Sequence, residues 1–570
     1  MRSLTHIRSG EASYPAVDEL RALASDVRDI VGPGVDIGYA ADWSEYFGHQ
    51  PSNGSGDVIF HLDPLWADPE IDFVGIDNYM PISDWRYSEG HLDAEAGAQS
   101  PYSLSYLQSN IEGGEGYDWF YASAADRDAQ VRSPIIDTAH GEHWVFRPKD
   151  VRGWWESQHH NRIGGERSIT PTAWIPQSKP VLFTEFGCPA VDLGANQPNV
   201  FVDPKSSENA LPYFSRGRRD DYGQRRYLQA MLGYWSDPAN NPLSTVFGGS
   251  MINTDHMFAW TWDARPWPDF PNRSDVWSDG LNHRLGHWIS GRLRTPLLAD
   301  VVAEICLASG LTSFDVSELN GVVEGFVQDQ ERTARQTLQT LMMVYSFDAV
   351  ESGGHLVFRH RDRLSVTQLA LDEAILSERG AAAFELTRNA EGDLPRAVQL
   401  SYIQSERDYE SGALEARTSG VGASRVETMQ APLVVDGGQA QGIADRWLAE
   451  ARSGREGAKL TVGRRGLALE PGDIVTVGGA GALRYRIDGI EDLGARELTL
   501  TRTEPLNYAE DAAVVRASPP APRVQASSMA YAFLDLPVLS DQQEAQHALL
   551  ATFASPWPGG ADLYASLDEE

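Results

Sequence analysis

The sequence predicts a multidomain protein with an α/β first half built from parallel β/α units, followed by α+β and mostly antiparallel β domains. Three observations lead to this prediction. The 570 residues exceed what one hydrophobic core can hold, which indicates about three or four domains. Four apolar strands in the first half each end at an acidic residue. From about residue 354 onward, apolar residues alternate with a period of two.

The first half alternates helical and strand patterns. Pro15 at a helix start, apolar residues recurring every 3 to 4 positions, and Gly32 at the end predict a helix over residues 15–31. Another helix is expected around 224–235, and strands are expected at 35–41, 71–76, 181–184 and 257–262. Nearly continuous apolar strands with room for crossover helices are typical of a parallel sheet that is buried on both faces.

Two architectures fit this alternation. Four β/α units are half of an eight-stranded barrel, and an open doubly wound sheet fits nearly as well. No glycine-rich phosphate loop follows any of the strands, in contrast to dinucleotide-binding sheets.

Acidic residues follow all four predicted strands, at Asp42, Asp77, Glu185 and Asp263. Barrel enzymes hold their catalytic residues at the carboxyl ends of parallel strands. Glu185 is the leading candidate, because its strand ends in this single acid before the chain turns. The alternative is that Glu185 caps the next helix or pairs with an arginine.

Aromatic residues are concentrated in the same half, where 14 of the 16 tryptophans precede residue 290. They indicate either a cleft that stacks on flat ligands such as sugars or a tryptophan-rich core. In the cleft interpretation, the strand-end residues Trp43, Tyr79, Trp260 and Trp262 line the mouth. Arg265 is then expected to keep the Glu185 carboxylate ionised by charge pairing, the alternative being a purely structural ion pair.

The charge balance argues against nucleic-acid binding, since 47 basic and 81 acidic residues give a net charge of −34. No cofactor is expected. Cys188 and Cys306 fall in different apparent domains and form neither a disulfide framework nor a thiolate metal site. No metal is expected at His159 and His160, which lack helical spacing and a third ligand, so a surface loop is predicted.

Targeting signals are not recognisable in the sequence. There is no apolar run of about 18 residues and no apolar signal-peptide segment, so we expect synthesis in the cytoplasm without a signal peptide.

Four regions are predicted along the chain. Residues 1–295 form the α/β domain, 296–363 a helical or α+β connector, 364–510 a β-rich module, and 511–570 a linker with the start of a further domain. Helices are expected near 298–305, 334–345 and 438–451, while strict alternation in the β-rich module indicates antiparallel sheets with one wet face. The proline-rich segment 518–522 reads as a stiff linker.

A family resemblance rests on four segments of the first half. They are DIGYAADWSEY at 36–46, GIDNYMP at 75–81, TEFGCP at 184–189 and WTWDARP at 260–266. Together they resemble the glycoside-hydrolase TIM-barrel-like domain of gene transfer agent and phage tail hub proteins, the large "host specificity" or megatron-type proteins. More weakly, PRAVQLSY at 395–402 and LEPGD at 469–473 resemble the associated phage tail protein module, and LDLP at 534–537 and PWPGG at 556–560 resemble the segment after it.

This resemblance implies a baseplate hub component at the tip of a phage-like tail, assembled with other tail proteins as a ring-forming homo-oligomer. Family members continue upstream through the first half of the barrel. The resemblance therefore implies that Met1 is an internal methionine and that the chain holds only the C-terminal half of the barrel.

The resemblance also implies chemistry on a cell-envelope glycan. Glu185 corresponds to the nucleophile of a retaining glycoside hydrolase, and the acid/base position would precede Met1. Asp42, Glu45, Asp77 and Asp263 are the other acids at strand ends, of which Asp77 and Asp263 join Glu185 in the predicted catalytic set. Asp42 and Arg265, with the aromatic residues of the mouth, are expected to bind substrate. The alternative is an inactive barrel that serves as a structural or receptor-binding module.

Overall fold

The computed structural model of the chain describes residues 4–508, 529–534 and 549–554, apart from internal gaps at 11, 89, 203–205, 207–208, 267–268, 274–275, 278, 290–294, 329, 362–365, 371–383, 405–408, 419–424, 479–482 and 493–494. The chain divides into two units, Met1–Val515 and Arg516–Glu570. The predicted linker at 518–522 and the motifs at 535–537 and 556–560 lie outside the described residues.

The N-terminal α/β domain contains two long helices, one near its beginning and one near its end in the sequence, with mostly short elements between them. Its helices are α1 Pro15–Val31, α2 Asp63–Trp66, α3 Leu92–Glu95, α4 Leu104–Ser109, α5 Ala124–Asp128, α6 Val151–Glu156, α7 Asp221–Ser236 and α8 Asp269–Asn272. Its strands are β1 Gly38–Asp42, β2 Phe73–Asn78, β3 Trp119–Phe120, β4 Ser133–Pro134, β5 Arg162–Ile163, β6 Glu166–Arg167 and β7 Val181–Phe186. The predicted helices at 15–31 and 224–235 correspond to α1 and α7.

The centre of this domain is a parallel sheet of order β1-β2-β7. Close strand approach depends on Gly75, where a Cβ atom would lie 2.5 Å from the Tyr39 carbonyl oxygen. Three of the four predicted strands are therefore confirmed. The fourth forms no regular strand, although Trp260 N–H donates to the Phe186 carbonyl at 2.8 Å and isolated parallel bridges run beside β7. The described residues thus form part of a parallel α/β sheet and not a closed eight-stranded barrel.

Tryptophan side chains fill much of the core around this sheet. Five of them are at most 2% exposed, namely Trp66, Trp154, Trp155, Trp174 and Trp235. These indoles each bury a large apolar area, which is why they dominate the packing energy of the domain. Of the two explanations for the many tryptophans, a tryptophan-rich core is therefore confirmed for these five.

The second hydrophobic core combines three helices with two small sheets. Its helices are α9 Leu298–Ala308, α10 Ala334–Tyr345 and α11 Gly437–Ser453, and its strands are β8 Phe314–Asp315, β9 Phe347–Ser352, β10 His355–His360, β13 Pro395–Gln404, β14 Ser411–Arg417 and β15 Arg425–Val435. Capping boxes at Thr333 and Asp436 begin α10 and α11. This core extends across the position predicted to separate the connector from the β-rich module.

A third core lies on a six-stranded sheet of order β11-β17-β18-β19-β16-β12. Its strands are β11 Val366–Leu369, β12 Phe384–Arg388, β16 Glu456–Val462, β17 Ile474–Val477, β18 Leu483–Asp492 and β19 Arg496–Arg502. All neighbouring pairs are antiparallel except β11 with β17, in agreement with the period-two pattern.

Buried charge pairs join the N-terminal domain to the second core. Arg219 contacts Glu324 at 3.1 Å and Asp436 at 3.8 Å, and Arg284 also pairs with Asp436. The Asp436 side chain is only 1% exposed and also caps α11. One carboxylate therefore both starts a helix and holds the junction.

The second unit is described only as an antiparallel pair, β20 Ala530–Leu534 with β21 Leu549–Phe553. Among the described residues of the whole chain, no helix has the length and apolar character needed to cross a membrane.

Replacing Ile76 by alanine should destabilise the N-terminal domain by about 2–5 kcal/mol, because its side chain is fully buried in β2. Ile169→Ala is the matched control, since Ile169 is 95% exposed and should change stability by less than about 0.5 kcal/mol. Urea unfolding followed by tryptophan fluorescence reports mainly on this domain. Equal effects of the two substitutions would contradict the assignment of β2 to the core.

Candidate functional site

Three carboxylates stand side by side at the carboxyl ends of the parallel strands. Asp42 lies opposite Asp77, and Asp77 lies opposite Glu185. Neighbouring strands are about 4.8 Å apart, so these acids are immediate neighbours along one sheet edge.

An irregularity in β7 produces this alignment. The register runs evenly to the pair Ile76 and Phe183, and then pairs Asp77 with Glu185, which leaves Thr184 as an extra residue. The Thr184 hydroxyl donates a hydrogen bond to Asp77 Oδ1 at 2.8 Å. Bulges of this kind redirect side chains, and here two consecutive residues of β7 face the Asp77 position.

A cavity of about 270 Å³ opens over this edge of the sheet. Its lining residues are Asp42, Trp43, Ser44, Asp77, Tyr79, Glu185, Asn199 and Phe201. The first half of the sequence therefore contributes five predicted site residues to one cavity. Ser44, Asn199 and Phe201 were not predicted, and the last two lie in an irregular loop that carries no periodic signal.

Tyr79 fixes the position of the Glu185 carboxylate. Its hydroxyl donates to Glu185 Oε2 at 2.6 Å. The Tyr79 ring is 5% exposed and packs edge-on against His287, with ring centroids 5.6 Å apart. Burial and the Glu185 charge hold the pKa of Tyr79 far above its usual value, so the phenol stays protonated and keeps donating this hydrogen bond.

The pKa of the Asp77 carboxyl is raised above its usual value. Burial, reinforced by the negative charges of Glu185, Asp42 and Glu45, raises the pKa of Asp77 to about 6, and the hydrogen bond from Thr184 opposes this rise. Asp77 can therefore retain a proton at mildly acidic pH beside the carboxylate of Glu185. A proton donor next to a positioned carboxylate is an arrangement suited to acid-assisted bond cleavage.

The other predicted site residues lie outside the cavity lining. Arg265 pairs with Asp263 at 2.6 Å and with Asp279 at 2.8 Å, and its guanidinium lies 3.5 Å from the centroid of the Phe270 ring. Nε, Nη1 and Nη2 of Arg265 all donate hydrogen bonds to Asp263 or Asp279. The predicted ion pair between Arg265 and Glu185 is therefore wrong. Trp260 and Trp262 are 38% and 68% exposed and do not line this cavity.

His159 departs from the predicted surface loop, because it is fully buried. Its Nδ1 lies 2.9 Å from Asp63 Oδ2, and its Nε2 lies 2.8 Å from the Trp154 carbonyl oxygen. The ring also stacks on Phe60 and Trp174. Because both ring nitrogens are engaged, His159 has a structural role in the tryptophan-rich core. His160 is half-buried, with Nδ1 2.9 Å from the Ser168 carbonyl oxygen.

Two family models match the chain. Residues 1–271 match the GTA TIM-barrel-like domain, and residues 333–490 match the family described as "Putative phage tail protein". These matches define the class at the level of domains: an α/β N-terminal domain of the TIM-barrel-like kind and a β-rich domain similar to phage tail proteins. More particularly, the first half of the chain is similar to the TIM-barrel-like domain of gene transfer agents (GTAs), and the tail-protein match lies in its second half.

Solved structures include similar chains. A chain from the virion of a native GTA particle is 42% identical, with a TM-score of 0.40, over 42% of this chain and 54% of that chain. This chain thus spans about half the length of that relative. The tail protein from Neisseria meningitidis MC58 is 16% identical, with a TM-score of 0.29, over 38% of this chain and 70% of that one. The prophage MuSo2 43 kDa tail protein from Shewanella oneidensis is 14% identical, with a TM-score of 0.27, over 38% and 64%. No curated protein sequence matches.

Asp77→Asn should remove part of the pH dependence of folding stability. Because the folded-state pKa of about 6 exceeds the usual 3.8, the folded protein binds the proton more tightly, and stability falls as pH rises from about 4 to about 6. The asparagine variant lacks this fall and should gain about 1 kcal/mol over wild type at pH 7, a figure reduced for partial exposure.

Urea unfolding of both proteins at several pH values measures this difference. Thr184→Val removes the hydrogen bond that opposes the shift and should steepen the fall. A wild-type minus Asp77→Asn stability difference that is constant from pH 4 to pH 7 would contradict a raised pKa at Asp77.

Proposed function

We propose that this tail protein uses the cavity of its N-terminal domain to bind and hydrolyse a glycan of the target cell envelope at the tail tip. The observation that carries the proposal is the cross-strand pair of Asp77 and Glu185, one with a raised pKa and the other positioned by Tyr79. Peptidoglycan and capsular polymers are the glycans that a tail must pass.

The spacing of the pair favours a retaining reaction. Cross-strand neighbours have backbones about 4.8 Å apart, and side chains on one face can then bring their carboxyl groups to the 5–5.5 Å of retaining glycosidases, whereas the 6.5–9.5 Å of inverting ones requires them to splay apart. In this reaction Glu185 attacks the anomeric carbon, while Asp77 donates its proton to the leaving glycosidic oxygen. Asp77 then takes a proton from a water molecule that cleaves the glycosyl-enzyme bond and releases Glu185.

The remaining lining residues suit sugar recognition. Trp43 and Phe201 present apolar ring surfaces, which stack on the C–H faces of sugars. Asp42 is exposed at the end of β1 and lines the cavity, and its Oδ1 accepts hydrogen bonds from the Ser44 backbone and hydroxyl, so the carboxylate is held where it can accept from sugar hydroxyls.

A second candidate is glycan binding without turnover. The cavity volume of about 270 Å³ lies just below the 300–1,000 Å³ of typical ligand pockets, which favours a grip on about one sugar ring. The domain would then act as a receptor-binding module of the tail.

Glu185→Gln should reduce the release of reducing sugar from peptidoglycan or capsular polymer by at least about 100-fold, because an amide cannot form the covalent intermediate. Asp77→Asn should have a loss of about 10²–10⁴-fold, as expected for a missing general acid. Glu156→Gln, an exposed glutamate on α6, is the matched control and should keep wild-type activity.

Turnover that is equal in wild type and Glu185→Gln would refute hydrolysis at this site. Pull-down of the same glycans by a wild-type protein that releases no sugar would support the binding candidate instead. Loss of that binding in Trp43→Ala would locate it in this cavity.

The tail domain is further proposed to assemble as a ring with other tail proteins. Closed cyclic symmetry is the common solution for such assemblies, and tail axes are threefold or sixfold symmetric. Mass photometry of the full chain should show species at three or six times the monomer mass of 62.7 kDa. A single monomeric species at micromolar concentration, alone and with its neighbouring tail proteins, would contradict ring formation.

A further inference from the structure

A histidine cluster lies near the amino terminus, formed by residues that are far apart in sequence. His6 stacks on His49 with ring centroids 4.3 Å apart, and it lies 4.8 Å from the His61 ring. Glu45 approaches from the turn after β1. One donor atom from each of His6, Glu45 and His61 lies within 4.8 Å of the other two.

The cluster is enclosed by the protein. His61 is 3% exposed, Glu45 is 4% exposed, and Thr5 beside them is 1% exposed. The His61 Nδ1 atom is buried and makes no hydrogen bond of good geometry, although the Ile59 backbone lies within reach of the ring. A buried imidazole nitrogen with only a poorly aligned partner is left under-satisfied, which favours a cluster that holds something further.

We propose that His6, Glu45 and His61 bind one divalent transition-metal ion, with Zn²⁺ as the best fit. Two imidazoles and one carboxylate form a donor set typical of zinc sites that keep an open fourth position. Tetrahedral zinc with bonds of about 2.0–2.1 Å places its donors about 3.3 Å apart, so the three groups need to close by at most about 1.5 Å.

Neighbouring groups are arranged to support such a site. The Tyr39 hydroxyl donates to Glu45 Oε1 at 3.3 Å and orients the carboxylate, as the second layer of contacts does in metal sites. His49 donates to or accepts from the Tyr14 hydroxyl at 2.9 Å, which leaves it a packing role beside His6. The ion would tie the short amino-terminal turn to the segments that follow β1 and precede α2.

The competing explanation is a hydrogen-bonded cluster without metal. The Thr5 hydroxyl contacts Glu45 and lies 3.2 Å from His61 Nε2, so it bridges two of the proposed ligands. A metal ion would take the Glu45 oxygen from Thr5. The two explanations differ in whether the chain binds an ion with defined stoichiometry.

Calorimetric titration of the EDTA-stripped full chain with ZnCl₂ tests the site, with mass-spectrometric metal analysis after dialysis. Wild type should bind one equivalent at micromolar affinity or tighter. His6→Ala and Glu45→Gln should each weaken binding at least tenfold, and His256→Ala, an exposed histidine elsewhere in the domain, should leave it unchanged.

Titration of wild type with Co²⁺ gives a readout that does not depend on any variant folding. Intense visible absorption, typical of four-coordinate Co²⁺, would support the site. The proposal is overturned if wild type shows no saturable binding, or if binding persists unchanged in both His6→Ala and Glu45→Gln. These readouts are independent of glycan hydrolysis, so they stand whether or not Asp77 and Glu185 are catalytic.

Discussion

The register of β7 against β2 is the constraint on which the candidate site depends. An uninterrupted register would place Thr184 opposite Asp77 and move Glu185 one residue further along the edge. The extra residue instead aligns Glu185 with Asp77 and keeps the Thr184 hydroxyl in contact with the same carboxylate. A shift of a single backbone position therefore determines whether these two acids lie opposite each other.

This alignment places three carboxyl groups close together, and no basic side chain is among the described residues that line the cavity. Asp42, Asp77 and Glu185 follow one another across adjacent strands, and Arg265 is engaged by Asp263 and Asp279. The raised pKa of Asp77 favours its neutral form, and Tyr79 donates a hydrogen bond to Glu185, so both reduce the repulsion. The environment therefore acts on the two acids differently: burial raises the pKa of Asp77, and a phenol hydrogen bond holds Glu185.

Local patterns predicted the elements and the acids that they carry. Spacing and end signals predicted α1 over 15–31, and apolar runs ending in an acid predicted β1, β2 and β7, because both signals depend on residues close in sequence. Five of the nine predicted site residues line the cavity, because they lie at or next to the ends of these three strands.

Features that depend on distant residues could not be predicted in this way. The partner of Arg265 was missed, since Asp279 lies on a separate turn 14 residues later. His159 looked like a loop residue because its partner Asp63 lies 96 residues earlier. The cluster of His6, Glu45 and His61 likewise has no short spacing pattern, and only the folded backbone brings it together.

The junction built on Asp436 has a mechanical consequence. Pulling the two domains apart would expose a carboxylate that is 1% accessible and strip two arginines from it at the same moment. Breaking a buried pair from one side is costly, by about 3–5 kcal/mol, and here the loss of the α11 cap would add to it. A load that separates the two domains therefore acts first on these ion pairs and on the first turn of α11.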